Sequence, residues 1–197
     1  SITADHKILN EHHQSRHYDQ VCLVILDRYT QWLQSYACKT KNAHDTLMAF
    51  QRFLGPNVKS KHVYTDGSKE FEKAMDLLET LHDTSTPYAS QTNGVAERAV
   101  RKVKEGTACL LVQSGLSEEW WAEAMNCFCF LKCISDVLAP DSKTAHYRRF
   151  GIDFEGPLIP FGAEVEYAPS NPSDKEKLPK LGSKVLPGIF VGYEQHA

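Results

Sequence analysis

The sequence lacks any apolar run near the roughly 20 residues that a membrane-spanning helix needs, which excludes such a helix. It has no CxxC pair, and six cysteines, at 22, 38, 109, 127, 129 and 133, are too sparse for a disulfide-stapled scaffold or a zinc knuckle. They read as reduced thiols of an intracellular protein. Ser1 to His6 does not have the basic-then-apolar pattern of a secretion signal. Internal repeats and low-complexity tracts are missing too. So is any excess of positive charge: 22 Lys and Arg against 25 Asp and Glu leave -3, which at first sight argues against nucleic acid. The charge is uneven, however. Residues 91–116 hold four basic and two acidic side chains, while the stretches on either side are net negative.

What is present suits a globular chain. At 197 residues and 42% apolar it can form one medium domain, or a domain with a small appendage. Val21 to Leu26 is a continuous apolar run ending at Asp27, the mark of a central strand covered on both faces. Trp32 to Ala37 reads as a strand returning beside it. Ala43, Leu47, Phe50 and Leu54 recur at helical spacing until Gly55-Pro56 stops them. A short strand, His62 to Thr65, ends at Asp66, and Phe71, Ala74, Leu78 and Leu81 mark a second helix. Asn93 can cap a long helix buried along Ala96, Val100, Val103, Thr107 and Leu110, which Gly115 ends. Another helix follows Ser117 and carries Trp120, Trp121, Ala124, Phe128 and Leu131. Beyond about Pro140, prolines punctuate short runs such as Gly188 to Tyr193, which read as strands of a small, separate unit. The order implies an α/β layer fold on one sheet, with polar chemistry gathered where strands end.

Single residues say little here. Asp66-Gly67 alone reads as a turn, Asp5 as a solvated edge residue, and Glu97 as an exposed carboxylate near a positive helix end. His12, His13 and His17 have no cysteine pair beside them and read as a polar loop between the first two strands. Cys127, Cys129 and Cys133 read as core. Trp120 and Trp121 cannot both face one core, so one of them marks either a subunit contact or a contact within the domain.

Two longer stretches carry more. They are Val63-Tyr64-Thr65-Asp66-Gly67-Ser68-Lys69-Glu70-Phe71, and Pro87-Tyr88-Ala89-Ser90-Gln91-Thr92-Asn93-Gly94-Val95-Ala96-Glu97-Arg98. Together they resemble the catalytic core of retroviral-type integrases, most closely that of copia-type LTR retrotransposons. Leu26 to Trp32 is similar to that family's second strand and turn. Ile159 to Gly162 and Leu186 to Tyr193 are similar to the region after the copia-type core.

The resemblance implies an RNase H-like fold over 1–150, a mixed sheet of about five strands flanked by helices. It also implies that 151–197 forms the start of a small SH3-like β module. The implied activity is metal-dependent trimming of DNA ends and their transfer into target DNA, in the nucleus, by a homo-oligomer. Three carboxylates would hold two Mg2+ ions, with Mn2+ as substitute, because in-line phosphoryl displacement needs both its entering and leaving oxygens stabilised. Carried onto this sequence, the second aspartate is Asp66 and the glutamate Glu97. The first is Asp5 on the first strand, with Asp27 as the alternative. Arg101 and Lys104 stack with Glu97 on one side of the helix and are implied as DNA contacts, whereas pairing of Arg101 with Glu97 would be worth only a few tenths of a kcal/mol. Two departures stand out. Only 30 residues separate Asp66 from Glu97, a few fewer than usual, a shortening assigned to Leu81 to Thr86. Gly67 also replaces the asparagine common after the second aspartate. A related nuclease, or an inactive copy that binds DNA or self-associates, are the alternative readings.

Overall fold

The computed structural model of the protein describes residues 1–9, 13–56, 58–85 and 94–194. Five strands form one mixed sheet in the order β3-β2-β1-β4-β5. β1 (Ile2–Ile8), β2 (Val21–Asp27) and β3 (Leu33–Cys38) form an antiparallel meander, β2 pairing with both others. β4 (Val63–Thr65) and β5 (His82–Thr84) are added parallel to β1. The burial of Val21 through Leu26 on both faces makes β2 the covered strand its apolar run implies.

α1 (Ala43–Leu54) begins where Asn42 accepts a hydrogen bond from the Asp45 backbone N–H and ends at Gly55, whose φ of 74° suits glycine. α2 (Lys69–Leu77) buries Phe71, Ala74 and Met75. It stops earlier than the stripe through Leu81 implied. Glu79 takes a φ of 52° and turns the chain back, leaving Leu81 74% exposed, so that His82–Thr84 can pair with β4. That edge strand is short and polar, and its sequence carries no strand signal.

α3 (Gly94–Ser114) buries Ala96, Val103 and Thr107 and packs on β1, β2 and α4. The Asn93 cap lies outside the described residues, as does the segment leading to it. A 3-10 turn at Glu118–Trp120 leads into α4 (Trp121–Ser135), which buries Trp121, Cys127, Cys129 and Cys133. All six cysteines are free. Trp121 donates from Nε1 to the His13 carbonyl at 3.0 Å, and Trp120 lies beneath the Arg16 guanidinium, 3.9 Å away. Both tryptophans therefore make contacts within the chain. His13 and His17 also face the start of α4, beside Glu118 and Glu123; His12 lies outside the described residues.

α3 and α4 approach closely because Gly106 has no side chain: a Cβ there would stand 2.0 Å from Phe128 Cε2. Gly106→Ala is therefore expected to destabilise by about 1–2 kcal/mol, the overpacking cost exceeding the helical gain of losing a glycine. Thermal denaturation checks it; a melting temperature unchanged or raised would show that the ring yields freely.

The remaining chain folds back on this core. β6 (Val137–Leu138) pairs with β7 (Lys143–Thr144), and α5 (Ala145–Phe150) follows. β8 (Glu164–Tyr167) pairs with β9 (Leu186–Ile189), with α6 (Pro172–Lys175) between them. Phe161 is buried against Ala124 and Cys127 of α4, and the Tyr193 ring lies 4.8 Å from that of Phe130. The Tyr193 hydroxyl accepts from the Ile159 N–H and donates to the Pro157 carbonyl. Residues 151–194 thus lie on α3 and α4 through aromatic contacts, with one hairpin projecting from them.

Candidate active site

β1 and β4 run parallel with Ile2 opposite Val63 and Thr3 opposite Tyr64. Continuing that register by two residues sets Asp5 level with Asp66, one residue past the end of β4, on strands about 4.8 Å apart. Side chains alternate along β1. His6 points to α1 and α2, its Nε2 3.1 Å from Thr46 Oγ1 and its ring 4.5 Å from that of Phe71. Asp5 therefore points to the other face, where α3 packs. Glu97 lies in the first turn of that helix and is exposed.

Electrostatics ties the three together. Burial, with the negative charges of Asp66 and, more weakly, Glu97, raises the Asp5 carboxyl to about 6. The His6 backbone N–H and the Lys41 ammonium oppose the rise without cancelling it. Asp66 Oδ1 accepts from the Ser68 N–H at 3.2 Å, which fixes the turn after β4. Thr65 Oγ1, held by His82 Nε2 at 2.8 Å, donates to the Asp66 carbonyl. The Glu70 carboxyl is held below its ordinary range chiefly by its own backbone N–H at the start of α2, and Lys41 adds to this. Burial and Lys41 hold the His6 imidazole down to about 4, so it is neutral at physiological pH.

Lys41 is the residue that sequence reasoning missed. Its charge reaches Asp5, His6 and Glu70 although it precedes α1, far from every motif. No spacing rule could have found it, because the approach is made by the sheet.

Asp27 is placed elsewhere. It pairs with Ile2, while Asp5 pairs with Val24, so it stands three residues, about 10 Å, along the sheet and on the opposite face. Its oxygens accept from the Tyr29 N–H at 3.1 Å and from Thr30 Oγ1 at 2.8 Å, the bonds of a turn. The structure thus brings Asp5, Asp66 and Glu97 to one region and leaves Asp27 out. Arg101 and Lys104 follow Glu97 along α3, both exposed.

Three carboxylates are an all-oxygen donor set that suits a hard divalent cation in type and charge. The set is open: among the described residues no three His, Cys, Asp or Glu side chains stand close enough to form a ready-made metal group.

No protein-family model matches the chain. It is 28% identical over 184 residues to the Retrovirus-related Pol polyprotein from transposon TNT 1-94 of Nicotiana tabacum, covering 87% of the chain and 13% of that polyprotein. A second relative, the Retrovirus-related Pol polyprotein from transposon RE2 of Arabidopsis thaliana, is 25% identical over 115 residues, covering 55% of the chain and 8% of the polyprotein. The chain thus spans a small part of either.

Solved structures agree in fold. The catalytic core domain of BIV integrase superposes with a TM-score of 0.52 at 17% identity, covering 74% of this chain and 90% of that one. The HTLV-2 integrase catalytic core domain in complex with magnesium, in a trimeric form, gives 0.54 at 20%, covering 74% and 92%. The simian T-cell lymphotropic virus intasome in complex with PP2A regulatory subunit B56 gamma gives 0.59 at 17%, covering 95% of this chain and 66% of that one. The chain has the RNase H-like fold of integrase catalytic cores, and its sequence resembles copia-type Pol polyproteins.

Proposed function

We propose that this chain is the catalytic core of a retrotransposon integrase, a polynucleotidyl transferase and endonuclease that trims element DNA ends and joins them to target DNA in the nucleus. The reading rests on the placing of Asp5 on β1, Asp66 just after the parallel β4 and Glu97 on the helix packed on that face, with the charges of Asp66 and Glu97 adding to the effect of burial on Asp5. A magnesium-bound core among the structural neighbours supports Mg2+ as the ion, with Mn2+ as substitute. When bound, a pair of such ions supplies activation of the attacking oxygen and charge neutralisation at the leaving oxygen.

The protein's part is placement. Asp5 offers a carboxylate from β1, Asp66 from the turn after the adjacent β4, and Glu97 the third from α3. Arg101 and Lys104, four and seven residues on, grip the phosphates of the DNA end and hold its scissile bond over the carboxylates. The nucleophile is water in the trimming step and the DNA 3'-hydroxyl in the joining step, so no covalent link to the protein forms. An intasome and a trimeric core among the neighbours support assembly of several copies.

Removing both cations of this face, Arg101→Gln with Lys104→Gln, is expected to weaken DNA-end binding and to lower the slope of log affinity against log salt by about 1.8. Filter binding over a salt series reads this directly. An unchanged slope would place the DNA elsewhere. Joining of a short duplex end to a plasmid with Mg2+ tests the reading as a whole; a chain that binds DNA with no joining or nicking under any divalent ion would favour an inactive DNA-binding copy.

A further inference from the structure

A cleft of about 410 Å³ opens between α3 and α4, on the side of α3 next to the Glu97 row. Arg98, Lys102 and Lys132 line it, with Asp136 as the one acidic residue. Asp136 is already engaged by Lys132 in an ion pair. Arg98 and Lys102 stand one turn apart on α3, where like charges repel, and neither has an ion pair among the described residues. The positive end of α3 adds to the same field. Beneath these charges the lining is apolar, with Leu33, Ala99, Cys133 and Ala145 reaching into the core.

A basic rim over an apolar slot suits an anion carrying a flat, weakly polar body. We infer that this cleft takes one unpaired nucleotide of the DNA, its base in the slot and its phosphate on Arg98 and Lys102. The inference rests on the DNA-joining reading above. A continuous duplex would meet the rim and leave the slot unfilled, because its bases are stacked inside the helix; an unpaired base has a face to bury. Position agrees. Lys102 lies five residues beyond Glu97, about 7.5 Å along the helix axis. A strand whose reacting phosphate sits at Glu97 therefore has a near neighbour within reach of the cleft.

The test uses the whole chain and duplexes with 2-aminopurine at successive positions near the joined end. The fluorescence of this base rises when it leaves the stack. Wild type is expected to raise it at one position. Ala99→Leu, which fills the slot without changing charge, abolishes the rise while DNA affinity stays within about twofold. Arg98→Gln with Lys102→Gln lowers the salt slope by about 1.4, as for two contacts to a single strand, and also removes the rise. These two residues are exposed, so the pair remains informative if Ala99→Leu fails to fold. No rise at any position by a wild-type chain that binds and joins DNA would overturn the inference alone, as would a rise that survives the charge variant. A wild type that neither binds nor joins DNA would overturn the reading beneath it as well.

Discussion

Asp66→Asn and Glu97→Gln each reduce DNA joining by about 10^3-fold or more, while leaving the fold intact. The size follows from the role: stabilisation of the reacting oxygens by a held ion is worth several kcal/mol, and each 1.36 kcal/mol is a factor of ten in rate. Both side chains lie at places where the substitution is isosteric and costs no core contact, Asp66 in a turn after β4 and Glu97 exposed on α3. Thermal denaturation of each variant separates loss of chemistry from loss of structure. Removal of divalent ions by a chelator should reproduce the same loss in the wild type, and restoring Mg2+ should reverse it. A joining rate within tenfold of wild type in either variant would remove that carboxylate from the site.

Without divalent ions, Asp5→Asn is more stable than wild type at pH 7.5 and no more stable at pH 3.5. In the folded chain the Asp5 carboxyl titrates at about 6 against an ordinary 3.8. The folded state therefore holds a proton that the unfolded chain releases, and wild-type stability falls as pH rises through that window. Complete burial would make the shift worth about 3 kcal/mol. Solvent reaching the half-buried carboxyl reduces this to about 1–2 kcal/mol, or a few degrees in melting temperature for a chain of this size. Mg2+ should then stabilise the wild type above pH 6, where the Asp5 carboxylate is charged, and do much less for Asp5→Asn. A wild type whose melting temperature climbs between pH 4 and 6 without metal, relative to the variant, would contradict the placement of Asp5 as a partly buried carboxyl beside like charges.

Most of the fold was legible because its signals are local. The apolar run of β2, the helical spacing of Ala43, Leu47, Phe50 and Leu54, Gly55 after α1 and Gly115 after α3 each announce an element within a few residues. β5 was not legible, since a three-residue polar edge strand is made by pairing with β4 and not by its own composition. The aromatic docking of residues 151–194 on α4 was hidden for a similar reason: Phe161, Phe190 and Tyr193 look like strand residues until their partners are known. In the site, Asp66 and Glu97 came from motifs. Asp5 required a choice against Asp27, which follows the stronger strand signal. The antiparallel register separates the two aspartates in space, a relation that no local pattern contains.

Joining of a short duplex end to plasmid DNA with Mg2+, by wild type, Asp5→Asn and Asp27→Asn side by side, tests the carboxylate site most directly. The arrangement of the sheet predicts robust joining by wild type, loss of about 10^3-fold in Asp5→Asn, and near wild-type joining by a folded Asp27→Asn. Joining that survives Asp5→Asn and disappears in a folded Asp27→Asn would contradict it.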